Sequence, residues 1–194
     1  MYPCCLTQFE KWRKLFGEGE SSMEILDIYD RNKRPTGRTI LRGKHLKDGE
    51  YNLTVHIWLY NRYGQLLIQK RAKNKSYARM WAATGGAALA GETSCQAALR
   101  ETKEELGISL SAQEGTLFRE LQVTRPYFSR LVDVWLFPTQ VQESELVLQH
   151  SEVSQAKWVT LFQLENMIHE GSFVNTYPYL QELMNYFRTQ TWEH

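Results

Sequence analysis

From Met23 onward, apolar and polar residues alternate or cluster in short segments separated by turn residues. Glu24–Tyr29 predicts a strand, Asp30–Lys33 a turn and Thr36–Arg42 a returning strand, so the pair reads as an N-terminal β-hairpin. Asn52–Tyr60 (NLTVHIWLY) is rich in β-branched and aromatic residues and predicts a central strand. A turn at Asn61–Gly64 leads into the strand Gln65–Arg71, and a polar loop, Ala72–Arg79, follows. Gly115–Thr124 and Arg130–Phe137 predict two more strands, and Ala156–Val159 another beyond the polar loop Gln140–Ser151. Leu161–His169 and Tyr179–Phe187 predict closing helices. With the helix considered next, the order predicts an α/β fold: a mixed sheet sandwiched between helices, plus the N-terminal hairpin.

The stretch Gly85–Ile108, GGAALAGETSCQAALRETKEELGI, stands apart. At about 100° per residue, Cys95, Ala98, Leu99, Thr102 and Leu106 share one side of a helix. Glu101, Glu104 and Glu105 gather on the flank of that stripe, while Gln96 and Lys103 point towards solvent. Like charges one turn apart destabilise a helix by roughly 0.2–0.5 kcal/mol per pair. The helix dipole also disfavours anions near the C-terminus. A divalent cation between the carboxylates reverses both penalties, and hard oxygen ligands suit Mg²⁺. Gly107 predicts a left-handed stop to the helix.

Composition narrows the classes. With 194 residues, the chain has room for one domain and a substantial core. Its net charge of +1 supplies no bulk field to draw a nucleic-acid polymer or a membrane. The cysteines number 3 and two are adjacent (Cys4, Cys5), which excludes a disulfide framework or zinc spacing. No apolar run reaches transmembrane length, so a cytoplasmic location is the simplest expectation. Residues 1–22 read differently from the rest. Trp12, Leu15 and Phe16 mark a short amphipathic helix that breaks at Gly17–Ser22, just before Met23. Two readings fit this extension: an ordinary flexible N-terminus, or an upstream read-through with Met23 as the natural start. Residues 23–194 are expected to form the single domain.

The pattern G-x5-E-x7-R-E-x-x-E-E-x-G-I runs from Gly86 to Ile108. It resembles the signature of the Nudix hydrolase family, which cleaves nucleoside diphosphates linked to another group. Thr102 departs from the usual aliphatic residue there, and its methyl can pack while its hydroxyl bonds back along the helix. The upstream runs EILDIYDRN, EYNLTVHIWLYN, GQLLIQKR and MWAATGG are similar to the family branch nearest isopentenyl-diphosphate isomerase.

The resemblance implies a Nudix α/β/α sandwich, a bacterial pyrophosphatase and a Mg²⁺ cofactor, with Mn²⁺ as an alternative. Glu104 and Glu105 match the main metal ligands, and Glu101 a ligand that can double as general base. Arg100 matches an orienting partner of the carboxylates and Glu92 its anchor. The Gly85 or Gly86 carbonyl is a candidate further oxygen ligand. Glu152, ahead of Lys157-Trp158-Val159, is the favoured extra acid outside the signature, with Glu143, Glu145 and Glu120 as alternatives. Arg71 and Arg79 are candidate phosphate contacts, and Tyr127, with Phe128, a candidate stacking surface. The implied partner is a small-molecule diphosphate. Because the hairpin can pair with its own sheet or cross to a second copy, both a monomer and a homodimer fit.

Two rivals share the motif. An isopentenyl-diphosphate isomerase needs a cysteine near the position where this chain has Gly85-Gly86. It also needs several histidine metal ligands, and the strand start that often carries histidine in this branch reads Tyr51-Asn52 here. Non-catalytic Nudix sensors tend to lose the acids that Glu101, Glu104 and Glu105 retain here.

Overall fold

The structure is a computed structural model and describes residues 24–124 and 129–193. The extension 1–22, Met23, Tyr127 and Phe128 lie outside the described residues. The hairpin pairs β1 (Ile25–Tyr29) with β2 (Pro35–Leu41) antiparallel. The Asp30 side chain closes its turn by accepting from the Asn32 and Arg34 backbone N–H groups at 2.8 and 2.9 Å.

The large sheet is built on β3 (Asn52–Tyr60), β4 (Leu66–Arg71), β5 (Trp81–Ala82), β6 (Thr84–Ala87), β7 (Thr116–Val123), β8 (Arg130–Pro138) and β9 (Val153–Val159). Its order is β5-β4-β3-β8-β7, with β6 also paired to β3 and β9 to β4. β3 and β8 run parallel from Asn52↔Arg130 to Tyr60↔Pro138, and the remaining pairs are antiparallel, so the sheet is mixed. The short strands β5 and β6 were not expected, because Gly85-Gly86 has low strand propensity. They pair where β4 and β3 leave backbone groups free.

Alternation along β3 builds a core on each face. Val55, Ile57 and Leu59 pack with Ala97, Ala98 and Leu106 of α1 (Ser94–Leu106). Trp58 packs on the other face, with Leu164 of α2 (Leu161–His169) and Leu180, Leu183 and Phe187 of α3 (Leu180–Thr189). The result is the expected α/β/α sandwich with an N-terminal hairpin.

The hairpin is tied to this sheet twice. Tyr29 and Tyr51 exchange backbone hydrogen bonds at 2.8 and 2.9 Å. Lys33, at the hairpin turn, donates to both carboxylate oxygens of Asp133 at 2.6 and 2.7 Å and also pairs with Glu120. Asp133 is 1% exposed on β8, so this ion pair anchors the hairpin to the middle of the sheet. That docking turns Leu26, Leu41 and the segment after β2 towards β6, where they form one wall of a cavity.

Candidate active site

α1 begins at a capping box in which Thr93 and Gln96 exchange bonds, and ends at Gly107 with φ of 77°. Thr102 donates to the Ala98 carbonyl at 2.8 Å and is fully buried. The helix is rotated further into the protein than its apolar stripe predicts. Cys95 and Leu99 are only half-buried, whereas Glu101 and Glu105 are buried and Glu104 stays exposed. Packing therefore separates three carboxylates that periodicity placed together on one flank.

Arg100 organises them. Its Nε and Nη2 donate to the two Glu92 oxygens at 2.8 and 3.1 Å. Nη2 also donates to the Ala87 carbonyl at 2.9 Å, and Nη1 to Glu101 and Glu104 at 2.9 and 3.0 Å. Glu92 is itself held by the Leu89 N–H at 2.8 Å. Burial alone lowers the Arg100 pKa, but hydrogen bonds and charge from Glu92 and Glu101 raise it overall, so the guanidinium stays charged.

Glu101 reaches under β6. A Cβ on Gly86 would lie 2.1 Å from Glu101 Oε1, so only glycine admits the carboxylate there. Burial raises the Glu101 pKa against the opposing pull of Arg100. Glu105 accepts a 2.8 Å bond from the Gln69 amide, whose oxygen in turn accepts from Thr84 Oγ1 at 3.4 Å. Burial pushes Glu105 up to about 8, opposed by Gln69 and the Gly85 N–H and reinforced by nearby Glu101 and Glu152. Among the described residues, no group of three or more His, Cys, Asp or Glu side chains is arranged to hold a metal ion. Arg100 stands between Glu101 and Glu104, bonded to both.

On the other side of the Gly85-Gly86 strand lies a cavity of about 530 Å³. Arg42, Lys44, Arg71 and Arg130 line it, and no acidic side chain among the described residues does so. Arg42 also pairs with Glu24 and lies near enough to Glu101 to lower its pKa. Two buried carboxyls therefore stand behind a side-chain-free strand, with a cation-lined cavity in front of it.

A family model described as NUDIX domain matches residues 50–179. A Nudix hydrolase of Listeria monocytogenes is 41% identical over 170 residues, covering 84% of this chain and 95% of that one. The chain belongs to the Nudix family. It is a pyrophosphohydrolase of the Nudix type. An isopentenyl-diphosphate Δ-isomerase of Corynebacterium diphtheriae is 25% identical over 182 residues, covering 88% of this chain and 97% of the isomerase. A crystal structure from Deinococcus radiodurans shares the fold at a TM-score of 0.66 and 24% identity, covering 84% of this chain and 98% of that chain.

The Nudix helix thus carries Arg100, Glu101, Glu104 and Glu105, and Arg100 ties Glu101 and Glu104 to Glu92 in the preceding loop, whereas Glu105 is held separately by Gln69. Of the acids outside it, Glu152 is the one near enough to Glu105 to raise its pKa, and it is paired with Lys75. The alternatives are engaged elsewhere: Glu143 accepts from Trp158 N at 2.7 Å, Glu145 from Gln142 N at 2.6 Å, and Glu120 pairs with Lys33. Arg71 lines the cavity and is braced by Ser76 O at 2.6 Å. Arg79 lines a separate cavity with Lys70, Lys73 and His150, so the structure does not bring it to Arg71's site. Tyr127 lies outside the described residues.

Sequence reasoning missed Gln69 and Tyr177. Gln69 is a polar residue 1% exposed inside a strand, and its alternation with Ile68 and Lys70 was the available signal. Tyr177 comes from the segment between α2 and α3, and nothing in its local pattern announces a cavity wall.

Proposed function

We propose that this Nudix protein is a divalent-metal-dependent hydrolase that cleaves the pyrophosphate bond of a nucleoside diphosphate linked to another group. The observation that carries this reading is the placement of Glu101 and Glu105, both with raised pKa, behind the bare Gly85-Gly86 strand and the cation-lined cavity. Pyrophosphate resists hydroxide because its anionic oxygens repel the nucleophile, so a catalyst must supply positive charge and an oriented, deprotonated water.

The donor chemistry fits the ion the family implies. The donors are oxygen throughout, and burial raises the pKa of Glu101 and Glu105, a desolvation cost that a cation bound by their carboxylates would offset. Glu101, Glu104 and Glu105, with the Gly86 carbonyl and Glu152, would hold Mg²⁺ or Mn²⁺. Bound there, the ion supplies positive charge to the phosphate oxygens and acidifies water. The chain's own groups do the rest. Arg71 neutralises and orients phosphate oxygens in the cavity. Arg100 holds Glu101 in place, anchored by Glu92. Glu101, its pKa shifted towards neutrality, takes the proton from the attacking water. Residues 23–194 act as one cytoplasmic domain on this small-molecule substrate.

The isomerase reading lacks its thiol. The one free cysteine among the described residues is Cys95, on α1, and it does not line the cavity. The test is Mg²⁺-dependent release of phosphate or nucleotide across nucleotide sugars, ADP-ribose, nucleoside diphosphates and triphosphates, with isopentenyl diphosphate as the isomerase control. Glu101→Gln should lower kcat by about 10²-fold or more. Unchanged turnover in Glu104→Gln would remove the metal assignment, and silence across the panel would favour a ligand sensor.

A further inference from the structure

The cavity has two chemically different ends. Arg42 and Lys44 stand exposed at its mouth, whereas the buried residues lining it, including Thr54, Ala83, Thr84 and Val174, are uncharged; the half-buried Arg71 and Arg130 line it between, with Arg130 near enough to His56 to disfavour a charged ring there. At this inner end lies His56. Its cross-strand neighbour on β6 is Gly85, which brings no side chain over the ring. Tyr177 packs edge-on against it, with centroids 5.0 Å apart and planes at 90°, which fixes the imidazole plane.

The hydrogen bonds beneath the ring decide which nitrogen carries the proton. Trp58 Nε1–H, a donor only, gives its proton to Tyr179 Oη at 3.1 Å. Tyr179 Oη stands 2.9 Å from His56 Nδ1. Tyr179 is 2% exposed, and no other acceptor for its hydroxyl proton is present among the described residues. Were Nδ1 protonated, that hydroxyl proton would be buried without a partner, at a cost of about 1–3 kcal/mol. Tyr179 therefore donates to Nδ1. The ring is the neutral tautomer with its proton on Nε2, the nitrogen left to meet a ligand in the cavity.

We infer that His56 is a specificity-determining residue: a fixed, uncharged Nε2–H donor that selects substrates carrying a neutral oxygen acceptor, a sugar or nucleobase oxygen, beyond the diphosphate. Tyr179 is its positioning residue, and Trp58 holds Tyr179. An isoprenoid chain has no acceptor for this donor and would leave it buried and unpaired. The inference rests on the hydrolase reading above and narrows it to the nucleoside side of diphosphate chemistry.

Two measurements on the full chain test it. In ¹⁵N-histidine-labelled protein at pH 7, long-range ¹H–¹⁵N correlations should give His56 an unprotonated Nδ1 and a protonated Nε2. Tyr179→Phe should mix the tautomers. A protonated Nδ1 in the wild type overturns the inference, whether or not any substrate has been found. In kinetics on the best nucleoside diphosphate derivative of the panel, His56→Leu should raise KM about ten-fold with kcat within two-fold, and His56→Gln, which keeps an amide donor, should recover most of the loss. An unchanged KM in His56→Leu overturns the specificity role. Should His56→Leu fail to fold, Tyr179→Phe takes its place, and an unmoved KM there overturns it equally. A wild type inactive on every nucleoside substrate refutes the hydrolase reading, and the spectrum then decides the donor by itself; preferential binding of isopentenyl diphosphate overturns the selectivity.

Discussion

Replacing Glu105 by glutamine should stabilise the metal-free protein at neutral pH while destroying its catalysis. In the folded state burial pushes this carboxyl from its ordinary 4.5 up to about 8, with Glu101 and Glu152 adding to the shift. The folded protein therefore keeps a proton that the unfolded chain releases. Stability from this group is complete below about pH 4.5 and is lost as the pH rises through about 8. At about 1.4 kcal/mol per unit, the loss by pH 7 is about 3 kcal/mol. Glutamine carries no charge, so it removes this dependence. It can still accept from the Gln69 amide, but its NH₂ faces the Gly85 N–H, at a cost of about 1 kcal/mol. The variant should thus be less stable than wild type near pH 5 and more stable by about 2 kcal/mol near pH 7. Urea unfolding followed by tryptophan fluorescence, in EDTA at half-unit steps from pH 5 to 8, gives both curves. Adding Mg²⁺ at pH 8 should raise the wild-type curve and leave the variant nearly unmoved. Parallel pH profiles for the two proteins would refute the claim that Glu105 is held above its ordinary range by burial.

Gly86→Ala places a methyl 2.1 Å from a carboxylate oxygen that Arg100 also grips, so it should displace Glu101, cost about 1–3 kcal/mol and lower kcat with it; melting and turnover measured together check this, and a variant with wild-type kcat would count against it. Lys33→Met leaves Asp133 buried without its partner and should cost about 3–5 kcal/mol. Burial alone lowers the Lys33 pKa, but hydrogen bonds to Asp133 and Glu120 raise it overall, so the wild-type latch is complete below the ordinary lysine pKa and weakens only as the pH climbs through the raised one. Chemical denaturation at pH 7 and in the alkaline range measures both effects, and a loss under about 1 kcal/mol at pH 7 would mean that Asp133 is not dependent on Lys33.

Much of the architecture is legible locally. The strand Asn52–Tyr60 and the helix Leu161–His169 occur at the boundaries their patterns predict, because apolar periodicity and turn residues act over a few positions. The hairpin is legible for the same reason, with Asp30 supplying the turn chemistry. β5 and β6 are not legible. A two-residue strand and a Gly-Gly strand have no propensity of their own and exist because β3 and β4 offer free edges.

The candidate site divides in the same way. The spacing of Arg100, Glu101, Glu104 and Glu105 determines that these acids share a helix with an arginine within reach, since helix geometry is independent of context. Which acids are buried depends on how far the helix rolls against β3, and that is set by the Ala97, Ala98 and Leu106 contacts. The roll puts Glu101 and Glu105 inside, leaves Glu104 in solvent, and so creates the raised pKa values on which the proposed chemistry depends. Only tertiary contact joins Gln69 to Glu105 and Trp58 and His56 to Tyr179, partners 36, 121 and 123 positions apart. Sequence alone determined that this chain gathers three carboxylates on one helix beside an arginine; the packing of distant segments decided their charge, because desolvation belongs to the folded environment and not to the residue.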